Sequence, residues 1–143
     1  GYDTRVLGLN LRLPEINAAI ATVQMKKLPK FLKTRQKNAK LLSKLLSKLN
    51  FNLPVERKNE NVNWYLYTVT TPKRNILLKK LNAKGIGAAS YYPIPVHKTP
   101  FYKSKTKLPV TDWAASHVLS LPIHPKVTTK NIGFIAKTIS EIL

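Results

Sequence analysis

Apolar residues recur at helical spacing through the first third of the chain. Pro14 suits the first turn of a helix, and Glu15 faces the positive end of its dipole, so a helix is predicted to begin there. Pro29 removes one helical hydrogen bond, which predicts a kink or a restart near residues 25–29. The expected buried stripe before this point comprises Ile16, Ala19, Ile20, Val23 and either Met25 or Lys27. A second apolar face, broken by Arg35, comprises Leu28, Leu32, Ala39, Leu42, Leu46 and Leu49.

The middle of the chain predicts two strands with a helix between them. Residues 62–70 are rich in aromatic and β-branched side chains, which favours a strand that Pro72 ends. Residues 74–84 have helical spacing, and Gly85 follows where a helix commonly stops. Residues 86–92 are small and β-prone and predict the second strand.

A proline-rich loop and two helices complete the prediction. The loop is made rigid by Pro93, Pro95, Pro100 and Pro109. Residues 110–118 predict a short helix, and Thr128 is expected to cap a last helix with isoleucines on one side. This order predicts an α+β fold in a single domain over residues 1–143. A long N-terminal helix, preceded by an extended lead-in over residues 1–13, leads into a small antiparallel sheet covered by helices on one face.

The composition is that of a globular domain. The chain has 143 residues, 43% of them hydrophobic, which is enough to build a core. No apolar run approaches the roughly 18 to 20 residues that a membrane helix needs, so no membrane partner is expected. The absence of cysteine excludes disulfides and thiolate catalysis and fits a reducing compartment, so a cytoplasmic location is expected.

The net charge of +19 raises the possibility of a polyanion-binding module. It arises from 25 basic and 6 acidic residues, and such a field attracts nucleic acid and other polyanions. Only five of the basic residues are arginine, and these are scattered, although arginine is favoured for reading bases. The lysines of the first helix lack interleaved aromatic residues, which indicates a solvated face and no specific nucleic-acid partner. They are Lys30, Lys33, Lys37, Lys40, Lys44 and Lys48.

Three motifs in a fixed order give the chain a family resemblance. Residues 8–20 read Gly-Leu-Asn-Leu-Arg-Leu-Pro-Glu-Ile-Asn-Ala-Ala-Ile, residues 92–97 read Tyr-Pro-Ile-Pro-Val-His, and residues 119–125 read Leu-Ser-Leu-Pro-Ile-His-Pro. Together they resemble the DegT/DnrJ/EryC1/StrS sugar aminotransferases. The resemblance implies the C-terminal small domain of a fold-type I enzyme that uses pyridoxal 5'-phosphate. It also implies a homodimer that aminates a nucleotide-linked keto sugar with an amino-acid donor such as glutamate.

The resemblance assigns roles to three residues, and the chemistry of two tyrosines adds them to the same pocket. Asn10 would hydrogen-bond the cofactor phosphate of the neighbouring subunit, although an asparagine there also suits a turn. Arg12 would form an ion pair or line the site. His97 would lie on the substrate side of the pocket, where the alternative is a solvated loop histidine. Tyr91 and Tyr92 would line the same pocket, or instead pack on the core.

The sequence assigns no catalytic residue and no metal site. The lysine to which the family attaches its cofactor precedes this region in the family, and nothing singles out a lysine within the chain. The histidines and carboxylates lack metal-ligand spacing, and no glycine-rich phosphate loop is present. His124 is expected to end a helix and anchor a turn, while His117 and Trp113 are expected to pack.

Departures from the family pattern leave other functions open. Leu9 and Leu11 stand where the family commonly has tyrosine or phenylalanine, and Tyr65 stands where it usually has histidine. Lys98-Thr99-Pro100 replaces a leucine-glutamine-proline that often follows the loop histidine. These differences put the substrate in doubt, and they are compatible with a non-catalytic remnant that serves dimerisation.

Overall fold

The computed structural model describes residues 8–9, 11–49 and 51–143, which form four α-helices and a two-stranded sheet. The helices are α1 (Glu15–Leu46), α2 (Arg74–Ala83), α3 (Pro109–His117) and α4 (Thr129–Ile142), and the strands are β1 (Tyr67–Thr70) and β2 (Val118–Leu121). A single 3-10 turn spans Val96–Lys98. The chain divides into two units, residues 1–30 and residues 31–143.

The first unit contains the N-terminal part of α1, whose apolar stripe is exposed. The Ala18 amide donates to the Pro14 carbonyl at 3.0 Å, so the helix begins where the sequence predicts. Ile16, Ile20 and Met25 are 75%, 57% and 63% exposed, so the predicted burial of this stripe is wrong. Helical spacing shows which residues share a face, but it does not show whether another part of the protein covers that face.

The restart predicted near Pro29 is also wrong, because α1 continues through this residue. Much of the predicted lead-in, residues 1–7 and 10, lies outside the described residues.

The second unit is built on an antiparallel pair of strands. β1 and β2 pair in a register that runs from Tyr67 opposite Leu121 to Thr70 opposite Val118. α2 contacts both β2 and α4. The core draws on the end of α1, both strands, α2 and α4, and its fully buried members include Leu42, Leu46, Tyr67, Val69, Leu77, Leu81, Leu119, Ile132 and Ile139. The α+β class and the antiparallel sheet are therefore confirmed.

The strands differ from the prediction in position. β1 is shorter than residues 62–70, because Trp64 has a φ of 49° and the Tyr65 amide turns back to the Asn63 side chain at 2.9 Å. Residues 86–92 do not form a strand, and only Ala89 bridges Ser120. The second strand is instead β2, which follows α3 directly. Residue 118, predicted to be helical, is its first residue.

The predicted helix ends are confirmed for α2 and α4. Gly85 follows α2 with a φ of 74°, a conformation that side chains with a Cβ rarely adopt. Thr128 caps α4 by accepting from the Asn131 amide at 3.2 Å, and the Asn131 side chain accepts from the Thr128 amide at 2.9 Å. No described helix is long and apolar enough to cross a membrane.

Candidate functional site

The proline-rich loop and helix α3 enclose a cleft of about 220 Å³, here called the loop cleft. One wall is the loop, from Tyr91 and Tyr92 to Val96, and the other is α3 with Val118 at its end. The two tyrosine rings meet edge to face with centroids 6.1 Å apart, and both side chains are largely exposed. The cleft therefore presents apolar surface and phenolic hydroxyls to a ligand, and the rings do not pack in the core as the alternative required.

His97 lies within the loop and faces helix α3. Its side chain is only 11% exposed, and Nε2 lies 3.6 Å from Oδ1 of Asp112. Lys98 Nζ lies 2.7 Å from the same oxygen, so Lys98 forms an ion pair with Asp112 while the neighbouring His97 ring lies close to the same carboxylate. The 3.6 Å separation is too long for a hydrogen bond, and His97 Nε2 has no hydrogen-bond partner among the described residues. His97 is thus largely buried against α3 and is not a solvated loop side chain.

A second concavity, the sheet groove, brings together residues of α1, of β2 and of the segments that precede β1 and follow α2 and β2. It measures about 200 Å³ and is lined by Arg35, Tyr65, Tyr91, Ser120 and His124, among others. The Arg35 guanidinium donates to the carbonyl oxygens of Trp64 at 3.1 Å and Tyr65 at 3.0 Å, and it lies 5.8 Å from the centre of the Tyr65 ring. Tyr91 lines both the sheet groove and the loop cleft, so it separates the two.

The two remaining predicted site residues belong to the first unit. Asn10 lies outside the described residues. Arg12 is described and exposed. The structure brings Tyr91 and Tyr92 together in the loop cleft with His97 beside it on the same loop.

The other histidines have structural contacts. His124 accepts from the Lys126 amide at 3.3 Å and its carbonyl accepts from the Val127 amide at 2.8 Å, so it anchors a turn as predicted. The element before it is β2, however, so the prediction that it ends a helix is wrong. His117 stacks on Trp113 with centroids 4.5 Å apart, which agrees with a packing role.

Two residues of this region were not recognised from the sequence. Asp112 lies within the helix predicted over residues 110–118, and its proximity to His97 depends on tertiary structure. Arg35 interrupts an apolar helix face, and that break is the signal that could have identified it as a contact residue. Every lysine of the chain is exposed, so none lies in a closed pocket that would set it apart chemically.

Sequence comparison relates nearly the whole chain to one family. The sequence model of the DegT/DnrJ/EryC1/StrS aminotransferase family matches residues 1–140. A dTDP-3-amino-3,4,6-trideoxy-alpha-D-glucose transaminase of Streptomyces venezuelae is 35% identical over 87% of this chain. A UDP-2-acetamido-2-deoxy-3-oxo-D-glucuronate aminotransferase of Pseudomonas aeruginosa is 33% identical over 99%. A pleiotropic regulatory protein of Geobacillus stearothermophilus is also 33% identical, over 98%. The chain spans 34%, 41% and 40% of the length of these three relatives.

Solved structures agree with the sequence comparison. The crystal structure of DesV from S. venezuelae superposes with a TM-score of 0.90 and 31% identity, and the match covers 98% of this chain and 39% of DesV. A DegT DnrJ EryC1 StrS aminotransferase from Brucella abortus superposes with a TM-score of 0.89 and 28% identity, covering 99% of this chain.

Proposed function

Because this chain belongs to the DegT/DnrJ/EryC1/StrS aminotransferase family, we propose that it is the C-terminal domain of an enzyme that aminates nucleotide-linked keto sugars. The observation that carries the proposal is the superposition on DesV over 98% of the chain. Relatives named for dTDP-linked and UDP-linked sugars support the substrate class. The family depends on pyridoxal 5'-phosphate, so we propose the same cofactor for the full-length protein, acting as a homodimer with an amino-acid donor in the cytoplasm.

The described residues do not by themselves form a binding site for that cofactor. Covalent attachment of the cofactor requires a lysine in a water-poor pocket, and every lysine here is exposed. No lysine of this chain therefore has the surroundings that attachment of the cofactor requires. We propose instead that its residues form one wall of a site that the rest of a longer protein completes. In that site, Asn10 would hydrogen-bond the cofactor phosphate of the neighbouring subunit.

The loop cleft supplies the substrate side of the proposed site. Tyr91 and Tyr92 offer ring faces and hydroxyls that suit a sugar or a base. His97 lies beside this cleft with Nε2 buried 3.6 Å from Oδ1 of Asp112, so Nδ1 is the ring nitrogen that we propose hydrogen-bonds a substrate hydroxyl. For Arg12 we propose only what the resemblance implies, an ion pair or a charge that lines the site of the full-length protein.

The test is a comparison of Asn10→Ala and His97→Ala in the full-length protein. Asn10→Ala is expected to weaken cofactor binding about ten- to a hundredfold, because it removes one hydrogen bond to the charged phosphate. His97→Ala is expected to leave cofactor binding intact and to raise the KM for the nucleotide sugar or lower kcat. Asn75→Ala, an exposed position on α2, serves as the control and should match the parent.

The two variants separate the proposed roles from a general loss of folding. Thermal melting of each variant shows whether the protein remains folded. If both variants bind cofactor and turn over like the parent, Asn10 is a turn former and His97 has no substrate contact. Asp112→Asn should reproduce part of the His97→Ala effect, because it removes the charge that both His97 and Lys98 face.

Polyanion binding is the weaker alternative. Its support is the net charge of +19 and the exposure of all the lysines, whereas the aminotransferase family model matches residues 1–140. A role in dimerisation without catalysis would require the full-length protein to lack transaminase activity. Steady-state kinetics on the parent protein distinguishes this case.

A further inference from the structure

Arg74, the first residue of α2, is a buried cation without a carboxylate partner among the described residues. It is only 6% exposed, and the ion pairs of the described chain involve other residues. It also lies at the N-terminus of a helix, where the dipole disfavours positive charge. Burying an arginine here is costly for stability, which indicates that its hydrogen bonds serve a specific purpose.

The guanidinium of Arg74 joins the two walls of the loop cleft. Nη1 donates to the hydroxyl of Ser90, which directly precedes the tyrosine pair of the loop wall. Nη2 donates to the carbonyl of Ala115 on α3 at 3.0 Å, and Ala115 itself lines the opposite wall. One planar group therefore fixes the distance between the start of the loop and the helix that faces it.

The loop segment 91–98 is thus connected to α3 on both sides. At its start, Arg74 links Ser90 to Ala115. At Lys98, the loop forms an ion pair with Asp112 of α3, and His97 Nε2 lies 3.6 Å from the same carboxylate. A loop held at two points against one helix keeps the cleft between them at a defined width.

We propose that Arg74 is a positioning residue that sets the width of the loop cleft and thereby the affinity for the nucleotide-sugar substrate. This inference rests on the proposed function. Arginine is required because its rigid fork reaches two acceptors at once, whereas lysine presents a single ammonium group. The remaining buried donor, Nε, has no partner among the described residues, so the guanidinium is oriented by its bonds to Ser90 and Ala115.

The experiment uses the full-length protein with Arg74→Met, Arg74→Lys and Ser90→Ala. Arg74→Met is expected to raise the KM for the nucleotide sugar about ten- to a hundredfold, with kcat and cofactor affinity close to the parent, because a charged hydrogen-bond network is lost. Arg74→Lys should restore part of the affinity. Ser90→Ala keeps the cation, so it should fold even if Arg74→Met does not, and it should raise KM less.

Hydrogen–deuterium exchange of residues 91–98 gives a readout that does not depend on activity. Exchange should increase in Arg74→Met and Ser90→Ala and stay unchanged in Lys79→Met, which removes an exposed cation from the same helix. Leu77→Ala, a core variant of α2, controls for lost stability and should leave KM unchanged while lowering the melting temperature.

The inference is overturned if Arg74→Met and Ser90→Ala match the parent in KM and in exchange of residues 91–98. It is also overturned if Leu77→Ala raises KM as much as Arg74→Met, since the effect would then follow stability alone. If the parent protein does not transaminate, the proposed function fails, and exchange of the loop then decides by itself whether Arg74 holds the cleft.

Discussion

Replacing Asn38 with alanine should destabilise the chain more than any exposed substitution on the same helix. The Asn38 side chain is buried on α1, and its amide nitrogen donates to the carbonyl oxygens of Ile123 at 3.3 Å and Val127 at 2.9 Å. These two residues flank the turn that carries His124. One side chain therefore attaches the third sequence motif to the long helix.

The expected magnitude follows from the two acceptors that alanine leaves behind. A buried polar group without its partner costs about 1 to 3 kcal/mol, and both carbonyls belong to buried residues. Asn38→Ala should therefore lower the free energy of unfolding by about 2 to 4 kcal/mol, allowing for some relaxation around the site. Asn38→Asp should cost more at neutral pH, because a carboxylate would face two carbonyl oxygens instead of donating to them.

Urea unfolding of the 143-residue chain measures this effect. Trp64 is 5% exposed, so its fluorescence should report loss of the core, and circular dichroism should give the same midpoint if unfolding is two-state. Lys37→Ala, exposed on the same helix, should stay within about 0.5 kcal/mol of the parent. A parent-like stability of Asn38→Ala would refute the argument that this amide connects the motif to α1.

Three further predictions concern pH, capping and charge. Burial raises the pKa of Tyr67 and the hydrogen bond with Ser43 lowers it, with a net rise above its ordinary value of 10.0. The folded chain therefore releases this proton at a higher pH than the unfolded chain does. The free energy of unfolding should fall as the pH rises past about 10, and it should fall less steeply in Tyr67→Phe. Urea titrations at alkaline pH measure both slopes, and equal slopes would contradict this prediction. Thr128→Ala should lower the free energy of unfolding by about 1 kcal/mol, whereas Thr129→Ala should change it little; equal effects would argue against the cap. Binding of the chain to DNA should weaken steeply with salt and ignore sequence, as fluorescence anisotropy would show; a sequence preference at physiological salt would support the nucleic-acid alternative.

The sequence predicts the helices of this chain better than its strands. α2 and α4 carry local signals at their ends, such as Gly85 and Thr128, that act within a few residues. The prediction of a strand over residues 86–92 is wrong because a short β-prone segment does not specify the strand with which it pairs. The strand that pairs with β1 is β2, and this pairing depends on contacts between distant parts of the chain.

The site residues that lie within a sequence motif could be predicted, whereas those brought together only by tertiary contacts could not. The tyrosine pair and His97 lie together because they are neighbours on one loop. The pairing of His97 with Asp112 joins residues 15 positions apart and follows only from the packing of the loop on α3. The exposed stripe at Ile16 and Ile20 shows the same limit, since periodicity does not reveal whether a partner covers a helix face.

The central claim is that the full-length protein aminates a nucleotide-linked keto sugar. Incubating it with pyridoxal 5'-phosphate, nitrogen-15 glutamate and a dTDP- or UDP-linked keto sugar, followed by mass spectrometry of the nucleotide sugar, tests this directly. The account predicts a nucleotide-linked amino sugar that carries the nitrogen-15 label and does not form without the cofactor. A folded, cofactor-loaded protein that transfers no label to keto sugars linked to either nucleotide would contradict it.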